Sequence, residues 1–310
     1  MEATIMATIS PRDPGTSIDR YITQLAGLHE EGFRRVWVSQ MPGEPDALTV
    51  LAVAGREVPD LQFGTSVLPI QPQHPMGLAQ RALTTDAIIG GRLTLGLGLT
   101  HQVVSEGMWG IPYNRQIRRA SEYLDGLLPL LNGEMADAGG EIYTTRGAFT
   151  MTDVPHPPVY LAALGPKMLK LAGSRTSGTI TWMTGPQTLA GHIVPSLRAA
   201  AVDAGRDADS VKVVAMLPVA VTDDVDTART AAGKAFRRYN DLPSYRAMLD
   251  REGYAKAEDA AIIGDEHAVA EQLAALASIG VDEFVGIPFS RDEDVAARTR
   301  ALLRTVDGGA

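Results

Sequence analysis

The tripeptide Gly165-Pro166-Lys167 could hold an anion. A proline fits the first turn of a helix, where its missing N–H costs nothing. The preceding glycine lets a ligand approach the backbone closely. The helix that follows would aim its free N–H groups and the positive end of its dipole at a phosphate. The same three residues also serve an ordinary helix start, so both readings stand. Gly96-Leu97-Gly98 lies inside an apolar run rather than in the turn after it. A dinucleotide fingerprint would need a third glycine at position 101, which is His101. Bare backbone inside a strand makes room for a cofactor ring or for a bulky neighbouring side chain. His101 and Gln40 are the candidates for catalytic work, His101 as a general acid, with a structural role as its alternative. His74, just before Pro75, reads as a helix cap or a pocket residue. His29, His156, His192 and His267 read as structural. Glu106 and Trp109 fall in a lid-like excursion, and Met41, Met108 and Met183 fit an adaptable apolar wall or ordinary core.

Other chemistries are missing. No carboxylate pair, His cluster or HExxH motif is present, which counts against paired-acid and metal-assisted hydrolysis. Cysteine is absent. Disulfides, a thiolate nucleophile and Cys-ligated zinc or iron–sulfur centres are therefore excluded. No metal site is expected.

The elements that must position these residues alternate strand and helix. Strands are expected at Ala3–Ile9, Phe33–Ser39, Gln62–Leu68, Leu93–Leu99, Val159–Ala163, Thr179–Met183, Val211–Val221 and Glu283–Ile287. Helices are expected at Ser17–Glu31 with Ser17 as cap, Asp46–Glu57, His74–Ile89, Arg115–Leu131, Lys167–Ser174, Thr188–Ala204, Asp223–Tyr239, Glu266–Ile279 and Asp292–Thr305, from apolar spacing and caps. Residues 101–114 read as a loop excursion, Gly139–Asp153 as an irregular or hairpin insertion, and Asp241–Ile262 as a less regular helical stretch. Eight strands, each followed eventually by a helix, point to an α/β TIM (β/α)8 barrel, with a doubly wound open sheet as the rival. The 310 residues carry no Pro/Gly/Ser-rich linker. One domain is expected over 1–310, with insertions near 101–114, 132–158 and 241–262.

A barrel places its chemistry at the C-terminal ends of the strands. Those ends carry Ser39-Gln40, Ser66-Val67-Leu68-Pro69, Gly98-Leu99-Thr100-His101, Ala163 to Lys167, Trp182-Met183-Thr184-Gly185 and Pro288-Phe289. The set is small and neutral, as if shaped around a flat cofactor that supplies the chemistry itself. The chain has 31 glycines but only 3 Trp, 8 Tyr and 6 Phe, which agrees with close backbone approach. Net charge is −9 and no basic stripe is visible, so nucleic acid is not expected as a partner. No apolar run reaches the roughly 18 residues of a membrane span, and Met1–Ser10 lacks a signal-peptide pattern. A cytoplasmic enzyme acting on a small molecule is the expectation.

Several motifs occur together and in order: FRRVWVSQ, QFGTSVLPI, QHPMGLAQRALTTDAIIGGRLTLGLGLTH, VYLAALGPKMLKLAGSRTSGTITWMTGP and GVDEFVGIP. With them the whole chain resembles the luciferase-like flavin and deazaflavin oxidoreductases. Within these it is similar to the F420-dependent branch that includes methylenetetrahydromethanopterin reductase. The resemblance implies a barrel with insertions, a homodimer, and coenzyme F420 across the barrel mouth. It implies a non-prolyl cis peptide at Ser66–Val67 propping the ring, with Ser39, Ser66, Val67, Leu68, Gly96, Gly98 and Thr100 on the ring side. It implies phosphate contact at Leu164, Gly165, Pro166 and Lys167, with Thr181, Trp182, Met183 and Thr184 flanking the cofactor tail. The reaction it implies is hydride transfer from reduced F420 to an activated C=C or C=N bond. An FMN-dependent monooxygenase and a non-catalytic F420-binding protein are the alternatives. Ser39 and Gln40 stand where many relatives carry an acid and a histidine, so the activity of the sugar-phosphate dehydrogenase relative is not implied.

Overall fold

Parallel strands covered on both faces need continuous apolar runs, and this chain supplies them. The computed structural model describes residues 1–7, 18–151 and 154–306. The expected strand end at Ile9, the cap at Ser17 and the insertion end at Asp153 lie outside the described residues. The fold is the α/β TIM (β/α)8 barrel. The chain divides into two compact units: Ala7–Ala162, and Met1–Met6 together with the chain from Ala163 onward.

The second of these begins with β1 (Glu2–Ala7), described with its partners below. In the unit Ala7–Ala162 the strands are β2 (Arg35–Val38), β3 (Gln62–Thr65), β4 (Leu68–Pro69), β5 (Leu93–Gly98), the hairpin β6 (Ala136–Gly139) and β7 (Thr144–Gly147), and β8 (Val159–Ala162). Apart from the antiparallel hairpin, they pair in parallel, with Trp37 beside Gly64, Phe63 beside Leu93, Leu68 beside Leu97 and Leu95 beside Val159. Trp37 is fully buried and lies directly on Gly64, where a Cβ would collide with its ring. Asp46 caps the helix Ala47–Glu57 by accepting from Thr49 N at 2.9 Å. His74 caps Pro75–Ile88 by accepting from Met76 N through Nδ1, and its Nε2 donates to Thr144 O at 3.0 Å. It is a cap that also ties down the hairpin.

In the other unit β1 pairs with β12 (Glu283–Pro288), which pairs with β10 (Lys212–Val221), which pairs with β9 (Gly178–Trp182). All are parallel. Nine consecutive residues of β10, from Val213 to Val221, are buried.

Three expectations need correction. The excursion at 101–114 contains a helix, Gln102–Gly107, stabilised where Ser105 Oγ donates to Ile111 O at 2.8 Å. The stretch Asp241–Ile262 is helical as expected, the helix Pro243–Glu252 and a 3-10 turn Ala257–Ala260, but it runs into an unexpected strand, β11 (Ile262–Gly264), added to β10. Three residues are too few for a period to show. The expected strand Gln62–Leu68 is two strands, interrupted at Ser66 and Val67. Among the described residues no helix is long and apolar enough to cross a membrane.

Candidate active site

In the unit Ala7–Ala162, each strand end is tied by short polar contacts. After β2, Gln40 Oε1 accepts from Ala47 N at 3.0 Å, so its carbonyl is committed to the start of the next helix. Glu44 turns back, accepting from Met41 N at 2.7 Å and from Ser39 Oγ at 3.5 Å. A half-buried carboxylate thus reaches the end of β2, where Ser39-Gln40 alone offered no ionisable group. Burial, aided by the Glu44 charge, pushes the Tyr21 phenol well above its usual range.

Between β3 and β4 the Ser66–Val67 peptide is cis, as the resemblance implies. Thr65 Oγ1 locks β3 to β5 by accepting from Gly96 N at 2.8 Å and donating to Gly96 O at 3.0 Å. A Cβ on Gly98 would lie 2.6 Å from Val67 Cγ2 and 3.2 Å from Ala162 Cβ. The bare backbone at Gly98 therefore seats a neighbouring side chain, Val67. Leu68 is buried, and Ile70 N donates to Gly98 O at 3.0 Å. Thr100 N donates to Gln71 Oε1 at 3.1 Å, and Gln71 Nε2 is buried with no partner among the described residues. His101 is half-buried at the N-cap of Gln102–Gly107.

In the unit from Ala163 onward, two Gly-Pro pairs start helices, and the structure separates them. Gly165 is the N-cap of Pro166–Arg175, with extended backbone (φ −83°, ψ 154°) and no side chain capping the turn. Gly165, Pro166 and Lys167 are exposed, and a Cβ on Gly165 would meet nothing within 4 Å. The preceding carbonyl, Leu164 O, accepts from His192 Nε2 at 2.8 Å. His192 sits in a π-helical turn, Leu189–Ile193, the kind of irregularity that re-aims a side chain. At the second pair, Gly185-Pro186, an anion is already present. Buried Glu252 accepts from Gln187 N at 2.9 Å and Thr188 N at 2.7 Å. Gly185 is needed there because a Cβ would come within 2.6 Å of Glu252 Oε1. One helix start is internally neutralised and the other is open.

Past β9, Met183 is buried at a positive φ of 54°, and Thr184 Oγ1 donates to Trp182 O at 3.2 Å. Thr181 Oγ1 and Trp182 Nε1 are buried without hydrogen-bond partners among the described residues. An open, uncapped helix start and orphaned polar atoms at neighbouring strand ends in the same unit fit a bound phosphate-bearing group. No three His, Asp or Glu residues converge into a metal-holding group among the described residues. Glu44, His192 and Glu252 were not legible as site residues. Glu44 returns by a loop turn, His192 acts through a π turn, and Glu252 arrives from 65 residues away.

Residues 1–305 match the family model described as luciferase-like monooxygenase. The 5,10-methylenetetrahydromethanopterin reductase of Methanolobus tindarius is 29% identical over 222 residues, covering 72% of this chain and 67% of that one. The F420-dependent glucose-6-phosphate dehydrogenase of Mycolicibacterium smegmatis (strain ATCC 700084 / mc(2)155) is 32% identical over 200 residues, covering 61% and 58%. The alignments thus span about three fifths to two thirds of those relatives' lengths. Among solved structures, the coenzyme F420 dependent tetrahydromethanopterin reductase from Methanopyrus kandleri superposes with a TM-score of 0.77, at 20% identity, covering 99% of this chain and 98% of that one. That likeness is one of fold.

Proposed function

The chain belongs to the luciferase-like monooxygenase family, and we propose that it is an F420-dependent oxidoreductase acting on a small organic molecule. The observation that carries this reading is the open helix start at Gly165, uncapped and exposed, in a unit whose other Gly-Pro start is closed by Glu252. Relatives whose names include F420 or tetrahydromethanopterin support it.

Lys167 and the backbone at Gly165 would hold the cofactor's phosphate, with His192 fixing the Leu164 carbonyl that leads into the turn. Thr181 to Thr184 would flank the tail. Ser39, Ser66, Val67, Leu68, Gly96, Gly98 and Thr100 would form the ring side, with Val67 held in place by its seat on Gly98. Reduced F420, when bound, would supply a hydride to an activated C=C or C=N bond and leave as oxidised F420. His101 is positioned by its strand end to manage the accompanying proton, and Gln40 contributes by holding the start of the helix Ala47–Glu57. We also expect a homodimer in the cytoplasm.

Titration with F420 and with FMN, followed by the fluorescence of each cofactor, tests the reading. Saturable F420 binding is expected. Tight FMN binding without F420 binding would replace it with an FMN-dependent monooxygenase. F420 binding with no turnover across a panel of enones and imines would leave a non-catalytic binding protein.

A further inference from the structure

Five aromatic rings converge in the unit that runs from Ala163 onward. Trp182 ends β9. Phe236 and Tyr239 lie at the end of the helical segment after β10, Tyr245 lies in Pro243–Glu252, and Phe289 directly follows β12. Trp182 meets Phe236 and Tyr239 edge-on, each with centroids 5.7 Å apart. Phe236 meets Phe289 at 5.7 Å and Tyr239 meets Tyr245 at 5.0 Å, again edge-on. Such pairs are favourable beyond the area they bury and hold one another rigid.

This is unlike the chain's other core. Most buried strand residues are Val, Leu, Ile and Ala, with Trp37, Phe63 and Phe284 on separate strands, and the whole sequence has only 3 Trp, 8 Tyr and 6 Phe. Phe236 and Tyr239 are buried, but Trp182, Tyr245 and Phe289 remain half-exposed. The cluster therefore has a packed back and an open face. Trp182 and Phe289 place that face at C-terminal strand ends, where barrels take their substrates.

Charge indicates what the face accepts. Three residues after Trp182, the helix start at Gly185 would ordinarily attract an anion. Glu252 already occupies it with a buried carboxylate. A second anion would find both N–H groups taken. The guanidinium stacked on the cluster, Arg238, lies 4.9 Å from the Tyr239 ring centroid and donates to Tyr239 Oη at 2.9 Å. That cation covers Tyr239, a buried member of the cluster.

We propose that the Trp182–Phe289 face is the substrate wall and that it takes an uncharged, largely apolar molecule, because Glu252 has already taken the anion-holding N–H groups of the adjoining helix start. Its role in turnover rests on the proposed function; the binding preference does not.

Calorimetric titration of the full chain with benzylideneacetone and with its 4-carboxylate analogue tests the preference without any cofactor. The neutral ketone should bind at least about tenfold more tightly, and Phe289→Ala should weaken it about tenfold while leaving the carboxylate analogue unchanged. Equal or tighter binding of the carboxylate, no binding of the ketone, or an unchanged ketone affinity in Phe289→Ala would each overturn the proposal. The comparison on the unaltered chain does not depend on how the variant folds. Failure to bind F420 alongside preserved ketone binding would sink the cofactor reading and leave the wall standing.

Discussion

At the scale of single residues, Gly165 and Gly98 carry opposite meanings although both are glycines near strand ends. A Cβ at Gly165 points into open space, so Gly165→Val should leave the unfolding midpoint within experimental scatter of the wild type. Its branched side chain would nevertheless block an approaching phosphate, and F420 affinity should fall tenfold or more by fluorescence titration. At Gly98 the obstacle is internal. Gly98→Ala should destabilise by about 1–3 kcal/mol through collision with Val67, and Val67→Ala in the same chain should recover much of that loss. Urea midpoints for the two single variants and the double variant measure the coupling. His192→Ala removes the donor to Leu164 O, a bond of about 1 kcal/mol, and should raise the F420 dissociation constant about fivefold. The helix start at Gly165 was open to reading because Gly-Pro-Lys sits at a strand-to-helix junction. His192 was not, because its reach to Leu164 depends on a π turn that no apolar spacing reveals.

Among the elements, the strand–helix alternation was legible almost throughout, because long apolar runs and capped amphipathic helices each have their own period. It failed where elements were short or bent. The helix Gln102–Gly107 and strand β11 are too brief to show a period, and the break between β3 and β4 falls inside one continuous apolar run. The connections between elements were not legible either. The hairpin β6–β7 was expected only as an irregular or hairpin insertion at Gly139–Asp153, and nothing in the spacing shows that Glu122 binds its turn by accepting from the N–H groups of Ile142 at 2.7 Å and Tyr143 at 3.1 Å. Glu252 does the same for the helix after β9. Gly185→Ala should press a methyl group into that carboxylate and cost about 1–3 kcal/mol, read as a lowered thermal midpoint. An unchanged midpoint would mean that the helix Pro243–Glu252 can shift without loss.

For the whole molecule, acidity has a specific consequence beyond a net charge of −9. Arg298 donates to both oxygens of Glu266 at 2.8 Å and to Asp223 at 3.0 Å, joining two helices and the end of β10. Hydrogen bonding from Arg298 holds the Glu266 carboxyl down at about 2, from an ordinary value of 4.5. A carboxyl depressed by folding stabilises the fold above its unfolded value and loses that contribution as pH falls toward its folded value. Glu266→Gln should therefore be less stable than the wild type at pH 7, and the gap should close between pH 4.5 and about 2. Paired urea titrations across that range check it. The order in which the chain is made has a consequence as well. Strand β1 is hydrogen-bonded in register with β12, and Thr4 Oγ1 donates to Glu283 Oε1 at 2.7 Å across 279 positions of sequence. A ribosome therefore releases β1 long before β12, which covers one of its edges, exists. Throughout synthesis of the intervening chain, a nascent polypeptide must keep that open edge of an apolar, β-prone strand from pairing elsewhere. The contiguous unit Ala7–Ala162 has no such wait, so stalled chains ending near residue 200 should already protect it from protease, whereas the Thr4–Glu283 bond forms only once β12 has been made.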